Sequence, residues 1–240
     1  MKTLIKNGSI LIRQDGLFKV IPGDLTIENE LITGIFLQEK APEEADRIID
    51  AAGCLVMPGL INAHTHVYMS IFRNYADDLE FFDWLGKVQE VEDQMTVEDA
   101  YWASLLSVIE MLRTGTTSYV DMHMFCAESP NISGPKGGSP AAACDSGIRA
   151  FLNRGLVGDH GEESAERRIK EFFSDVELYR NNNDGRISFL LGPHATYSCT
   201  SRLLSHIRDL GISNNMMATI HIAESDGESE TIARDHGGIK

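Results

Sequence analysis

Short apolar runs separated by turn residues open the chain. Leu4-Ile5, residues 10–12, 25–27 and 32–37 are divided by Asn7-Gly8, Asp15-Gly16, Pro22-Gly23 and Glu28-Asn29-Glu30, the spacing of strands and turns. No helical period persists there. Residues 1–55 are therefore expected to form a small antiparallel β unit, the N-terminal part of a β-sandwich, which must pack on something else to bury its apolar face.

From Leu55 the pattern changes to strands alternating with helices. Residues 55–63 form a nearly continuous apolar run, as in a strand buried on both faces. Thr96, with Asp99 three residues on, predicts a capped helix striped by Val97, Tyr101, Leu105, Val108 and Leu112 and stopped at Gly115. Strands are expected at 116–121, 149–157, 187–191 and 217–223. Between them a helix striped by Ile169, Phe172, Phe173 and Val176 ends at the 181–185 turn, and a shorter one carrying Leu203, Leu204, Ile207 and Leu210 is capped by Gly211. Residues 126–147, rich in Gly and Pro, read as a long surface loop.

Alternation of this kind implies a parallel sheet with right-handed crossovers. The expected fold is α/β: an incomplete (β/α)8 TIM barrel of about five βα units over residues 56–240, behind the small β unit. An open doubly wound sheet is the other architecture compatible with five strands, because five cannot close such a barrel.

Composition narrows the function classes. The 240 residues carry 21 Lys and Arg against 36 Asp and Glu, a net charge of -15, which repels phosphate backbones and anionic membranes. A small-molecule substrate is expected, without nucleic acid or membrane, and a homo-oligomer is compatible with the charge. Cys54, Cys126, Cys144 and Cys199 are widely spaced with no C-x-x-C pair, against a zinc knuckle or a disulfide framework. With no signal-peptide run at the start and no apolar stretch near ~18 residues, a reducing, cytoplasmic setting is expected.

The candidate chemistry lies at strand ends. In Pro58-Gly59-Leu60-Ile61-Asn62-Ala63-His64-Thr65-His66, His64 and His66 share one side of a strand, so their imidazoles could bind one metal ion. Two unrelated histidines in a strand-to-loop transition is the plainer reading. His221-Ile222-Ala223-Glu224 offers a third imidazole, with Glu224 either an acid or base at the open coordination position or a helix-opening residue. His194 could be a ligand, a substrate contact or a packing residue. His123 could line a pocket, whereas His160, His206 and His236 read as structural or surface residues. Phe81, Phe82 and Trp84 suit core packing or the wall of a flat-ligand site.

Taken together these motifs, with Leu112-Arg113-Thr114-Gly115-Thr116-Thr117 and Gly192-Pro193-His194 in the same order, resemble the amidohydrolase superfamily. The resemblance covers the whole chain and lies within the cytosine-deaminase-like branch, which holds S-adenosylhomocysteine and 5'-methylthioadenosine deaminases and triazine chlorohydrolases. It implies His64, His66 and His221 as metal ligands and Glu224 as the proton-shuttling carboxylate. Glu92 and Arg154 would hold ribose and tail groups, and His194 would reach the leaving-group side. It implies one divalent metal ion, zinc or alternatively iron, since no lysine follows strand four to bridge a second. The implied reaction is hydrolytic deamination of an aminopurine nucleoside. The alternatives are another heterocycle deaminase, a chlorotriazine hydrolase, or a catalytically incomplete fragment. The family's His after strand six and Asp after strand eight have no counterpart here, which implies a parent chain of roughly 400 residues and an inactive isolated piece with open sheet edges.

Overall fold

The computed structural model describes residues 1–126, 133–180 and 184–235. His236, residues 181–183 of the expected turn and residues 127–132 of the expected loop lie outside them. The chain divides into two compact units, Met1–Gly59 and Leu60–Lys240.

In the first unit, β1 (Lys2–Gln14) and β2 (Leu17–Glu28) form an antiparallel hairpin whose turn residues, Asp15 and Gly16, both take positive φ. That turn matches the natural twist of the strands. β3 (Leu31–Leu37) pairs antiparallel with β2, but β4 (Arg47–Asp50) and β5 (Leu55–Val56) run parallel to β1, so the sheet is mixed and not antiparallel throughout. Asn7-Gly8 does not reverse the chain. Asn7, at φ 61°, bulges β1, and its backbone N–H and side-chain amide donate to Asp24 and Asp50. Pro22-Gly23 likewise stays inside β2, with the Pro22 carbonyl accepting from the Gln38 N–H.

The apolar run 55–63 is shared between two strands: Leu55 and Val56 belong to β5, and β6 (Leu60–Thr65) starts beyond Pro58, which has no N–H for a ladder. There follow α1 (Phe81–Glu92), α2 (Val97–Arg113), β7 (Thr116–Asp121), α3 (Gly138–Ser146), β8 (Arg149–Leu152), β9 (Gly155–Leu156) and α4 (Glu163–Arg180). The last elements are β10 (Ile187–Phe189), β11 (Gly192–Pro193), α5 (Ser201–Asn214) and α6 (Asp226–Asp235). β6, β7, β8 and β10 pair in parallel in that order, and β9 pairs with β11. This is an incomplete (β/α)8 barrel. The expected strand at 217–223 is reduced to two bridges, Leu191 to Ala218 and Ala195 to His221.

Several expectations are corrected. Residues 138–146 are helix, not loop: α3 is built of small residues, with Ala141 and Ala142 packed on Tyr101 of α2 and Ser104 bonded to Ser139. Small side chains allow that close approach, and the flanking glycines and prolines hide the helix in the sequence. Gly211 does not end α5, which continues to Asn214 and stops where Asn215 takes the left-handed conformation at φ 51°. The expected strand at 149–157 breaks between β8 and β9 at Asn153. The buried side-chain amide of Asn153 accepts from the His123 N–H and donates to the Asp121 carbonyl. The buried face of α2 runs through Ala100, Tyr101, Ser104 and Val108, leaving Leu112 exposed.

The core sits between sheet and helices, with Val67, Val108, Tyr119, Leu152 and Tyr179 on one side and Leu156, Phe172, Leu191 and Leu203 on the other. Two buried oxygens there have no hydrogen-bond partner among the described residues, the Tyr119 hydroxyl and one oxygen of Asp121. The carboxylate of Asp121 is fully buried at the end of β7; Oδ1 accepts from the Val67 N–H at 3.1 Å while Oδ2 has no partner among the described residues. Burial pushes its pKa up to about 7.

Two outcomes are expected. Thr96 and Asp99 form a reciprocal capping box on α2, so Thr96→Ala should lower stability by about 1 kcal/mol in chemical denaturation. Because folded Asp121 holds its proton more tightly than the unfolded chain, stability should fall as pH rises from the ordinary Asp range through about 7. Asp121→Asn, which keeps an acceptor for Val67, should remove a loss on the order of a few kcal/mol; equal pH slopes for both proteins would contradict this assignment.

Candidate metal centre

β6 delivers two imidazoles to its carboxyl end. Alternation along the strand aims His64 and His66 the same way, and their ring centroids lie 5.3 Å apart. His221, which bridges to Ala195 beyond β11, brings its ring to 4.8 Å from His64 and 5.2 Å from His66. One nitrogen from each of the three rings lies within 4.8 Å of the others.

The electrostatics match the geometry. Burial first, then the neighbouring His221 and His64 rings, push the His66 pKa down to about 3. Burial likewise lowers His221, against the opposing pull of the Glu224 carboxylate. His66 and His221 thus resist protonation and keep nitrogen lone pairs free. Three imidazoles converging on one point fit a borderline divalent cation, with a coordination position left for a small molecule.

Three backbone features fix the trio. The loop after β6 is tied by the Val67 N–H to Asp121 and by the Met122 N–H to the Thr65 carbonyl. The His221 N–H donates to the His194 carbonyl. Beyond His221, Ala223 sits at φ 56°, a left-handed conformation uncommon for a residue with a side chain. That turn presents Glu224. The Glu224 carboxylate accepts from the Tyr197 hydroxyl at 3.0 Å, and its backbone N–H donates to the buried Glu228 at 2.7 Å. Glu228 also accepts from Thr196, which joins α6 to the loop after β11.

His194 stands 5.1 Å from the His221 ring and 5.9 Å from His123, with Nδ1 facing the Ser198 hydroxyl at 3.0 Å. Burial lowers its pKa and pushes that of His123 down to about 4. The His123 ring lies directly over Gly155, where a Cβ would come within 2.6 Å of it. Only glycine leaves room there.

Glu92 and Arg154 line a common cleft of about 260 Å³ beside His123. Glu92 accepts from the Tyr68 hydroxyl at 3.0 Å, and burial raises its pKa. The Arg154 guanidinium is largely occupied, donating to Glu171 at 2.9 Å and to both oxygens of Asp175. Arg168 faces the same cleft and donates to the Gly155 carbonyl. It escaped notice in the sequence because Arg167, Arg168 and Lys170 look alike on a charged helix. The aromatic group is continuous: Trp84 packs with the Tyr68 and Phe72 cluster and stands 6.0 Å from Phe81, while the Phe81 and Phe82 rings stand 6.3 and 6.0 Å from Tyr197.

The geometry has parallels among known proteins. The family model described as the amidohydrolase family matches residues 55–240. A 5-methylthioadenosine/S-adenosylhomocysteine deaminase of Thermoanaerobacter pseudethanolicus is 37% identical over 99% of this chain and 53% of its own. A 5'-deoxyadenosine deaminase of Methanosarcina mazei is 37% identical over 98% and 52%. The chain thus spans about half the length of the curated relatives it matches. Among solved structures, an adenosine deaminase from Xanthomonas campestris with bound zinc superposes with a TM-score of 0.79 at 24% identity, over 98% of this chain and 52% of that one. A zinc-bound mutant of atrazine chlorohydrolase from Arthrobacter aurescens gives 0.82 at 18% identity, over 98% and 56%, a likeness of fold. With most of its length matched by the family model, the chain belongs to the amidohydrolase family.

Proposed function

We propose that this chain carries the metal-binding and proton-transfer part of a hydrolase that deaminates a 5'-substituted adenosine, with 5'-methylthioadenosine and S-adenosylhomocysteine the leading substrates. The reading rests above all on the convergence of His64, His66 and His221 beside Glu224. The names of the relatives support the substrate class, since the two deaminases above are named for adenosines altered at the 5' position. The net charge of -15 is consistent with a substrate that is not polyanionic.

His64, His66 and His221 would hold one divalent ion, for which zinc is the best match to three neutral imidazoles and iron the alternative. Bound there, the ion supplies the Lewis acidity that makes water nucleophilic near neutral pH. The chain's own groups do the rest. Glu224 accepts the proton released as water adds to the amino-bearing ring carbon and delivers it to the adjacent ring nitrogen. The same carboxylate then takes the remaining proton from the hydroxyl of the adduct and gives it to the amino group, so that the C–N bond breaks, ammonia leaves and the ring carbon becomes a carbonyl. Tyr197, donating to Glu224, holds that carboxylate in one orientation through both transfers. His194, beside His221, faces the side where the amino group departs. Glu92, with one oxygen held by Tyr68, keeps the other for ribose hydroxyls, and Arg154 and Arg168 give the cleft beyond it a cationic wall.

Ammonia release from 5'-methylthioadenosine, S-adenosylhomocysteine and 5'-deoxyadenosine, and chloride release from a chlorotriazine, measured on the native polypeptide containing these residues, test the reading. Chelator dialysis should abolish turnover and zinc should restore it, except in His66→Ala. Glu224→Gln should lower kcat by about 10²- to 10⁴-fold with metal content unchanged. Glu92→Ala should raise KM for the nucleosides and leave turnover of any bare heterocycle unaltered. A zinc-loaded polypeptide that releases ammonia from none of the adenosines overturns the proposal.

A further inference from the structure

A second group of metal-ligating side chains lies outside the centre described above. His160 sits in the loop that links β9 to α4, Glu166 in the first turn of α4, and His206 near the middle of α5. One nitrogen from each ring and one carboxylate oxygen lie within 4.8 Å of one another. The two rings are stacked, with centroids 3.9 Å apart. His160 Nδ1 is 2.7 Å from Glu166 Oε1, yet this buried nitrogen has no partner in hydrogen-bond alignment. The imidazole nitrogen and the carboxylate oxygen thus stand side by side against the His206 ring.

The scaffold around them is already ordered. The Gly158 N–H donates to the Ser198 carbonyl and the Thr200 N–H to the Gly158 carbonyl, locking the loop to the start of α5. The Thr200 hydroxyl donates to Asp159 at 2.6 Å, and the Arg202 guanidinium donates to the His160 carbonyl. The Gly161 N–H donates to the same Glu166 oxygen that faces His160, at 2.9 Å. That bond is the main reason the carboxyl stays below its ordinary range and is available as an anion. A ligand oxygen oriented by a backbone N–H is the kind of outer support that metal sites use.

We propose that His160, Glu166 and His206 form a second, structural site for a borderline divalent transition ion, Zn²⁺ being the best match to two imidazoles and a carboxylate. Donors of one such ion are at most ~4.2 Å apart, and because imidazole lone pairs lie in the ring plane, the two stacked rings must turn out of their near-parallel arrangement for both to reach it. The site is partly exposed and open to solvent ions. An ion there cross-links the first turn of α4 to α5. The same helix carries Arg168, which faces the Glu92 cleft, and Glu171 and Asp175, which grip Arg154. The second ion therefore stiffens one wall of that cleft. The inference is independent of the proposed deaminase activity, because it concerns different residues and reads metal content.

Zn²⁺ titration calorimetry and metal analysis after dialysis, on the parent chain and four variants, test it. His64→Ala/His66→Ala should keep one equivalent of zinc, and adding zinc should raise its melting temperature. His160→Ala/His206→Ala should lose that equivalent while keeping the one at the other cluster. Glu166→Gln, a substitution that conserves shape and guards against a failure of the double variant to fold, should weaken the second equivalent by about tenfold or more. Co²⁺ added to His64→Ala/His66→Ala should give d–d absorption that vanishes when His206→Ala is also present. Absence of any bound zinc in His64→Ala/His66→Ala, or unchanged metal content in His160→Ala/His206→Ala, overturns the proposal.

Discussion

Three imidazoles with ring centroids only 4.8 to 5.3 Å apart can share one place only if they stay uncharged. Like charges at that distance repel, and burial of the His66 and His221 rings, which penalises their protonated forms, removes much of that repulsion. His66 shows the effect most strongly, its pKa falling to about 3. The desolvation comes from the fold itself. Val67 and Tyr68, the residues directly after the pair, are buried in the core, so the chain must enter the interior as soon as it leaves His66.

That entry depends on Asp121. Its buried carboxylate receives the Val67 N–H and so sets where the loop after β6 turns. A half-satisfied buried acid lowers stability, and the molecule retains one where it fixes the segment bearing His64 and His66. The same economy is visible at the other side of the centre, where Glu228 is buried and bonded both to the Glu224 N–H and to Thr196. Two acids from β7 and α6 thus hold in place the two loops on which the proposed chemistry rests.

What could be read in the sequence follows from how local each signal is. His64 and His66 are legible because a two-residue period on an apolar strand leaves little freedom about where they point. His221 is legible only as a residue ending a similar run, and its convergence with the pair is a tertiary fact. Asp121 gave no signal beyond being the last residue of a β-branched strand. Arg154 is legible only through the resemblance to the family, and its guanidinium is held by Asp175 and Glu171, two acids a helix turn apart whose purpose is hidden in an ordinary charged pattern. His160 and His206 looked like surface residues because each is alone in its own segment. α3 was masked for the opposite reason: its Gly and Pro flanks imitate a loop, while its alanines do the packing.

Strand pairing explains why the apolar run from Leu55 is less buried than its composition suggests. A parallel strand inside a closed barrel is covered on both faces, and its backbone is paired on both edges. β6 pairs with β7 on one side only, and at the far end of the sheet the segment around Ala218 contributes single bridges. Exposed apolar side chains gather at these two margins: Leu60 at 51%, Ile61 at 72%, Met217 at 69% and Ile222 at 65%. Unpaired, apolar margins are sticky and soluble folds seldom leave them open. His64, His66 and His221 sit on those same two margins. The exposure of the His64 ring, against the partly buried rings of His66 and His221, follows from that position.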